Sequence, residues 1–175
     1  MDGELLLLRG TVGTLMAGHG AGKLFGAFKA GYGIEGTAGW LEGMGFRPGK
    51  PWAYLQGGTE LAAGVGLATG LVTPASSAGI IGMMTAAART AHAGKGPWVT
   101  SGGWELPLIN GAVATAVAFS GPGRFSLDHL LGLRLSGLRW GIAALATGLG
   151  AAAATLAVRR PPEPQPEAVA VPTPS

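Results

Sequence analysis

One carboxylate within an apolar stretch is the residue of this chain best placed for chemistry. Glu60 lies in the first half of the apolar region Pro51–Ala93, and no charged residue separates it from Arg89. A charged side chain at the centre of a helix in lipid costs about 2.5–3.5 kcal/mol or more. We therefore expect Glu60 to face the interior of a helical bundle, where its protonation depends on burial and on a cationic partner.

Further polar side chains recur in pairs three or four positions apart, so each pair shares one face of a predicted helix. Alternating helix direction brings the helix ends that carry these pairs to one side of a bundle. The cost of exposing the charged groups to lipid favours turning all of these faces inward. The predicted intramembrane polar cluster comprises His19, Lys23, Gln56, Glu60, Arg89, His92 and Glu105.

A second pair of charges is predicted at the opposite end of the bundle. Arg9 lies near the start of the first apolar segment, and Asp128 follows the fourth. A structural ion pair between them would clamp the N-terminal helix to the loop after the fourth helix. The neighbouring Gly121–Gly123 turn and Ser126 are typical of a turn and a helix cap.

The segments that position these residues are long and apolar. Pro51–Ala93 predicts a helical hairpin of two arms, each about 20 residues long, joined at Thr73-Pro74. Leu5–Phe28 precedes the hairpin, Glu105–Gly121 follows it, and Gly141–Val158 is a fifth apolar run. We predict an all-α membrane protein with three parts: a four-helix transmembrane bundle (1–128), a linker and fifth C-terminal transmembrane helix (129–160), and a disordered Pro-rich tail (161–175).

Small residues are expected to bring the predicted helices close together. Gly18, Gly22 and Gly26 have the spacing that allows close approach of helices in lipid. The Gly-rich stretch 29–50 has too few apolar residues to cross a membrane and predicts a short interfacial segment.

Composition excludes several classes of protein. Charged residues make up 12% of the chain, against about 25% in ordinary soluble domains. The net charge of +3 comes from Lys and Arg at the ends of apolar segments, so lipid headgroups are the expected partner and nucleic acid is not. The lack of cysteine excludes disulfides and thiol catalysis. The chain also lacks a phosphate-binding loop and a His-Glu-x-x-His motif.

Several motifs occur together in one order along the chain. They are G-H-G-x-G-K-L-F-G at Gly18–Gly26, G-G-x-E-L-x-x-G-x-x-L-x-x-G-L-x-T-P at Gly57–Pro74, A-x-x-A-H at Ala88–His92, W-E at Trp104–Glu105 and G-P-G-x-x-S-L-D at Gly121–Asp128. With these motifs, residues 5–128 resemble the DoxX family of small bacterial membrane proteins. The resemblance implies a multi-pass four-helix bundle in the bacterial plasma membrane, to which the fifth helix and the tail are additions.

The same resemblance implies a function, because members are associated with quinone-linked oxidation of thiosulfate or with membrane oxidoreductase assemblies. We expect an accessory subunit of a quinone-linked oxidoreductase, with quinone at the Glu60 cluster and redox proteins as partners. The chain itself leaves open whether it is an enzyme. The alternative is a scaffolding protein in which Glu60 forms a buried salt bridge with Lys23 or Arg89.

Three further questions concern a carrier function, haem binding and the orientation of the chain in the membrane. A small-solute carrier is disfavoured because the spans show no inverted repeats. Haem ligation by His19 and His92 is disfavoured because their spacing demands no metal, and we expect no metal site. If five segments span, eight Lys and Arg residues lie on the side of the cluster and four on the other, which predicts a cytoplasmic cluster.

Overall fold

Every regular element of the computed structural model is helical within the residues that the structure describes, 2–28 and 31–161. The all-α prediction is therefore confirmed, while the predicted disordered tail lies outside the described residues apart from Pro161. In chain order the helices are α1 (Asp2–Phe25), α2 (Gly33–Gly43), α3 (Gly49–Thr69), α4 (Thr73–Arg89), a 3₁₀ turn (Val99–Ser101), α5 (Glu105–Ser120), α6 (Leu127–Leu130) and α7 (Leu138–Ala157).

Local sequence accounts for where these helices begin and end. Asp2 and Glu4 in the first turn of α1 and Lys23 in its last turn complement the helix dipole. Gly70 ends α3 in the left-handed conformation, at φ +66°, which glycine adopts without strain. Pro74 occupies the first turn of α4, where its missing N–H costs little. The result is the predicted helical hairpin, with arms of 21 and 17 residues.

The antiparallel helices α1 and α3 pack at backbone contact. A Cβ added to Gly13 would lie 2.4 Å from the amide nitrogen of Ala68, and one added to Gly20 would lie 2.4 Å from that of Leu61. Gly64 on α3 faces the backbone of α1 just as closely. Glycines seven residues apart therefore let the two helices touch along their length.

The glycines predicted to allow close helix approach, Gly18, Gly22 and Gly26, do not form the contact between α1 and α3. Gly18 faces only the ring of Phe28, and Gly22 faces the chain just after α1. Gly26 lies beyond the last residue of α1, at φ +67°. Spacing alone identifies a glycine-bearing face, and several faces of α1 carry glycine.

The remaining helices close the bundle around one core. Helix α4 packs against α3, α5 and α7, helix α5 also contacts α1, and α2 lies against α1 and α3. Helix α2 lies within the segment 29–50, for which the sequence predicts a short interfacial element. Helix α7 packs on both α4 and α5, so it is part of the bundle. The core contains Val12, Met16, Ala63, Leu67, Ile80, Ile81, Ala114 and Val117.

The membrane-crossing potential of the helices differs. Among the described helices, α7 alone combines the length and the mean hydropathy of a membrane span, and 22% of its apolar window is buried. Helix α5 is apolar but has 16 residues. Helices α1 and α3 have 24 and 21 residues, and both are rich in glycine and carry charged residues, which lower their hydropathy.

Candidate functional site: a buried ion pair beside an aromatic cavity

The close contact of α1 and α3 sets a lysine against the carboxylate at the middle of α3. Lys23 Nζ lies 2.5 Å from Glu60 Oε1. Glu60 is 3% exposed, whereas the Lys23 side chain is 20% exposed. The Lys23 ammonium also lies 5.9 Å from the centre of the Trp40 ring of α2, within range of a cation–π interaction. The ion pair therefore joins three helices.

Two buried oxygens on α3 have no hydrogen-bond partner within the described part of the chain. They are Oε2 of Glu60 and Oε1 of Gln56, one helical turn apart. A buried polar atom left unpaired costs about 1–3 kcal/mol. Such atoms are uncommon in folded proteins and mark positions where a donor from a ligand or from water is accommodated.

Gln56 lines a cavity of about 180 Å³ between α2, α3, α4 and α7. Its walls are mostly apolar, with Thr59 as a neighbouring polar group from α3. Three aromatic side chains lie on the α2–α3 side: Trp40, Phe46 and Trp52, the last two with ring centres 5.3 Å apart. An apolar cavity with a few directed polar groups has the character of a small-molecule site.

The end of α7 holds the fourth wall of this cavity in place. Arg159 Nε donates to the carbonyl of Met44 at 2.6 Å, and the Arg160 amide donates to the carbonyl of Gly45 at 2.9 Å. These bonds fasten the C-terminal end of α7 to the loop between α2 and α3. Ala151, Ala152 and Thr155 of α7 then line the cavity.

The structure divides the predicted polar cluster into two groups. Lys23, Gln56 and Glu60 come together on α1 and α3, and His19 lies with Lys23 in a shallow depression on the outer side of α1. The prediction rested on the helix ends that alternating helix direction brings to one end of the bundle, and a shared end does not fix which face of its helix a side chain occupies.

The other three members of the predicted cluster belong to the α4–α5 connection. His92 Nδ1 donates to the carbonyl of Gly102 at 2.6 Å. Glu105 Oε1 accepts from the amide of Val99 at 2.7 Å. These two side chains shape the loop. Arg89 lines a separate groove between α4, α5 and α7.

At the turn end of the hairpin, Arg9 is buried at 1% exposure and binds only backbone carbonyls. Its Nε donates to the carbonyl of Pro122 at 3.1 Å, and its terminal nitrogens donate to those of Ala68 and Phe125. Ala68 lies in the last turn of α3, whose carbonyls have no partner within the helix. Arg9 therefore caps the C-terminal end of α3 and ties it to the loop after α5.

Asp128 completes the same turn from the other side. Its carboxylate accepts from the amides of Val72 and Thr73, at 2.7 and 2.9 Å, and from the Thr73 hydroxyl at 2.7 Å. Val72 has φ +44°, a strained conformation for a β-branched residue. Asp128 thus acts as the N-terminal cap of α4, although it lies 55 residues away from Thr73 in the sequence.

This arrangement corrects the predicted ion pair between Arg9 and Asp128. Each side chain binds backbone groups of the hairpin turn, and neither binds the other. The physical reason is that helix ends leave several amides and carbonyls unpaired, and Val72, at the N-cap position of α4, has no side chain that can accept from the first amides. Absence of a capping side chain before Thr73-Pro74 is the sequence signal that points to a cap from elsewhere.

The described residues offer no ready metal site, since no three His, Cys, Asp or Glu side chains among them come together as ligands. His19 and His92 lie on the two different surfaces described above.

The outer surface of the bundle is apolar to an unusual degree. Within the five long helices, Arg9 and Glu60 are the charged residues that lie beyond the terminal turns, and both are buried. Exposed large side chains continue along the same helices; they include Leu6, Leu7, Leu8, Leu15, Tyr54, Leu55, Val65, Leu106, Leu108, Ile109, Ile142 and Leu149. Soluble monomers rarely expose apolar patches of this extent. The class defined by fold and surface is an all-helical bundle with outward apolar faces.

A family model described as DoxX matches residues 4–93, half of the chain. The chain belongs to the DoxX family, which is membrane-associated. The match covers α1 to α4 and therefore Lys23, Gln56 and Glu60, whereas α5 to α7 and Asp128 lie beyond it. No curated protein and no solved structure matches the chain.

Proposed function

We propose that this DoxX protein is a multi-pass integral protein of the bacterial plasma membrane and an accessory subunit of a quinone-linked oxidoreductase system. The observation that carries the proposal is a pair of buried oxygens without a hydrogen-bond partner in the described part of the chain: Oε1 of Gln56, which lines the aromatic cavity, and Oε2 of Glu60, one helical turn further along α3. Partner proteins would carry out the redox step, and the present chain would bind the quinone and exchange its protons.

The placement of charge supports the membrane part of the proposal. A helix in lipid can carry charged groups at its ends, where they reach the headgroups, or in its interior if they are paired. The long helices follow this rule, because Arg9 and Glu60 are buried and bonded. Trp98 and Trp104, both exposed, lie in and at the end of the loop before α5, a position typical of the headgroup level.

The chemistry of the two oxygens supports a reduced quinone as the ligand. Both unused atoms are acceptors, and a quinol carries two hydroxyl donors. One hydroxyl would bind Gln56 Oε1 in the cavity, and Glu60, one turn further along α3, would accept a proton. Lys23 holds the Glu60 carboxylate in place through its other oxygen. Trp40, Phe46 and Trp52 would pack against the ring.

The test is binding of a short-chain quinol analogue to the purified full-length protein in detergent. Gln56→Leu and Glu60→Gln should each weaken binding about tenfold, because loss of one hydrogen bond costs roughly 1–1.5 kcal/mol. Glu35→Gln is the matched control, since Glu35 pairs with Lys50 at the same 2.5 Å but on the surface. All proteins are compared at equal folded fraction. No saturable binding by the unsubstituted protein, or equal binding by all variants, would overturn the proposal.

The Lys23–Glu60 bond itself favours a second candidate function, that of a membrane scaffold. A 2.5 Å ion pair between α1 and α3 fixes the register of the two helices without any ligand. In that case Glu60→Gln lowers the stability of the bundle and leaves quinone-dependent respiration of the cell unchanged.

A further inference from the structure

Arg89 lies apart from the Glu60 site, at the C-terminal end of α4. It lines a groove of about 360 Å³ between α4, α5 and α7. Within the described part of the chain, its guanidinium makes no hydrogen bond and no ion pair. Most of the remaining groove is apolar, with Ile81, Met84, Leu145 and Leu149 among its walls.

The shape of the groove suits a hydrocarbon chain with a headgroup at one end. Along α5 the lining residues run from Trp104 to Thr115, which is about 16 Å at 1.5 Å per residue. Arg89 and Trp104 lie at the end nearest the α4–α5 loop, and the apolar residues follow along the helices. Leu108 and Leu149, on the walls of the groove, are 58% and 45% exposed, so the groove opens to the outer surface.

Charge decides which occupant fits. A guanidinium without a partner at the edge of an apolar surface is stabilised by an anion, and its planar fork binds two oxygens of a phosphate at once. Basic pockets between membrane helices bind the headgroups of acidic lipids, and tryptophan is enriched at the same level. An apolar protein surface would fill the groove but would leave the charge of Arg89 unpaired.

We infer that this groove binds one acidic phospholipid, with its phosphate on Arg89 and one acyl chain along α5 and α7. The site rests on the proposed membrane location and is independent of the quinone site. It lies wholly on helices beyond α3, and two of its three helices fall outside the DoxX match. A lipid held here would fasten α5 and α7 to the α4 arm of the hairpin.

The experiment compares phosphatidylglycerol with phosphatidylcholine as ligands of the purified full-length protein in a neutral detergent, by native mass spectrometry and by the shift of melting temperature. The unsubstituted protein should bind phosphatidylglycerol at least about tenfold more tightly, because phosphatidylglycerol carries a net negative charge, whereas the choline ammonium of phosphatidylcholine neutralises its own phosphate and would lie close to the Arg89 guanidinium. Arg89→Gln should remove that preference and leave weak binding of both lipids.

Two further variants distinguish lipid binding in this groove from non-specific electrostatic attraction of anionic lipids to the protein surface. Lys95→Gln removes an exposed cation of the adjoining loop that does not line the groove, and it should keep the full preference. Gly111 lines the groove, and a Cβ there meets only Met84, at 3.7 Å, so the structure has room for a larger side chain. Gly111→Leu should therefore fill the groove and weaken the binding of both lipids. Equal preference in Arg89→Gln, full binding in Gly111→Leu, or binding of glycerol phosphate as tight as that of the lipid would each overturn the inference.

Discussion

Two buried regions of the bundle differ in how completely their polar atoms are hydrogen-bonded. At the turn end of the hairpin, Arg9 and Asp128 form hydrogen bonds with the turn and with the loop after α5. At the middle of α3, Glu60 and Gln56 each have one oxygen without a partner in the described part of the chain. Both regions are buried, and both carry charge in an otherwise apolar bundle. The first region closes the ends of two helices. The second leaves hydrogen-bonding capacity available to a ligand.

The difference follows from where each charge lies along its helix. Helix ends leave amides and carbonyls unpaired, so a charged group beside a turn finds several backbone partners. Glu60 lies in the middle of α3, where the surrounding amides are already bonded within the helix. It therefore depends on other side chains, and Lys23 reaches only one of its oxygens. A mid-helix carboxylate is thus suited to function, and one beside a turn to stability.

Removal of the cap on α4 should have the largest effect. Asp128→Ala leaves three donors of Val72 and Thr73 without an acceptor, and the two from Thr73 are buried. We expect a loss of about 3–5 kcal/mol in the free energy of unfolding, because each buried donor left without an acceptor costs about 1–3 kcal/mol. Unfolding by a denaturing detergent in mixed micelles measures it.

Asp2→Ala is the matched control for this change. Asp2 accepts one exposed hydrogen bond from the Arg124 amide in the same loop, so its removal should cost about 1 kcal/mol or less. A comparable loss for both variants would show that Asp128 has no special role at the turn.

Substitution of the contact glycines tests whether packing, rather than hydrogen bonding, distinguishes the two regions. Gly13 lies toward the turn and Gly20 toward Lys23, and both face the α3 backbone at the same distance. Alanine at either position should therefore cost a similar amount, about 1–3 kcal/mol, because the added Cβ forces the helices apart. The same unfolding measurement applies.

Gly10→Ala provides the comparison, because a Cβ at Gly10 meets nothing within 4 Å. Alanine is more favourable than glycine within a helix by about 1 kcal/mol, so this variant should be at least as stable as the unsubstituted protein. If the cost of Gly13→Ala were several times that of Gly20→Ala, the packing of α1 and α3 would be uneven, and the contrast between the two regions would not be one of hydrogen bonding alone.

The smallest effect on stability is expected at Glu60. Glutamine keeps an acceptor for Lys23, and the Lys23 side chain, 20% exposed, can extend its ammonium toward water. We expect Glu60→Gln to change the free energy of unfolding by about 1 kcal/mol or less. The surface pair gives the reference, because Glu35→Gln should have no measurable effect. A loss at Glu60 as large as that at Asp128 would favour the scaffold over the ligand site.

Much of the fold could be predicted from the pattern of apolar segments. The hairpin of α3 and α4, the helices α1 and α5 beside it, and the apolar helix α7 all follow from segment length and from Pro74 and the glycines that end helices. The DoxX family predicted from the sequence motifs is confirmed by the family model that matches residues 4–93. Of the site, Lys23, Gln56 and Glu60 were predicted together and lie together; Arg89, His92 and Glu105 were predicted with them and lie elsewhere.

The sequence by itself determined which segments are helical and which charged residues, Arg9 and Glu60, lie within them and are therefore turned inward, because these depend on local apolar length and on the cost of leaving a charge on an apolar surface. Only the tertiary structure decided which face of α1 meets α3, that Asp128 caps α4, and that α7 walls the cavity beside Gln56. The rotation of one helix against another depends on packing between segments distant in the chain, and no spacing within a single segment specifies it.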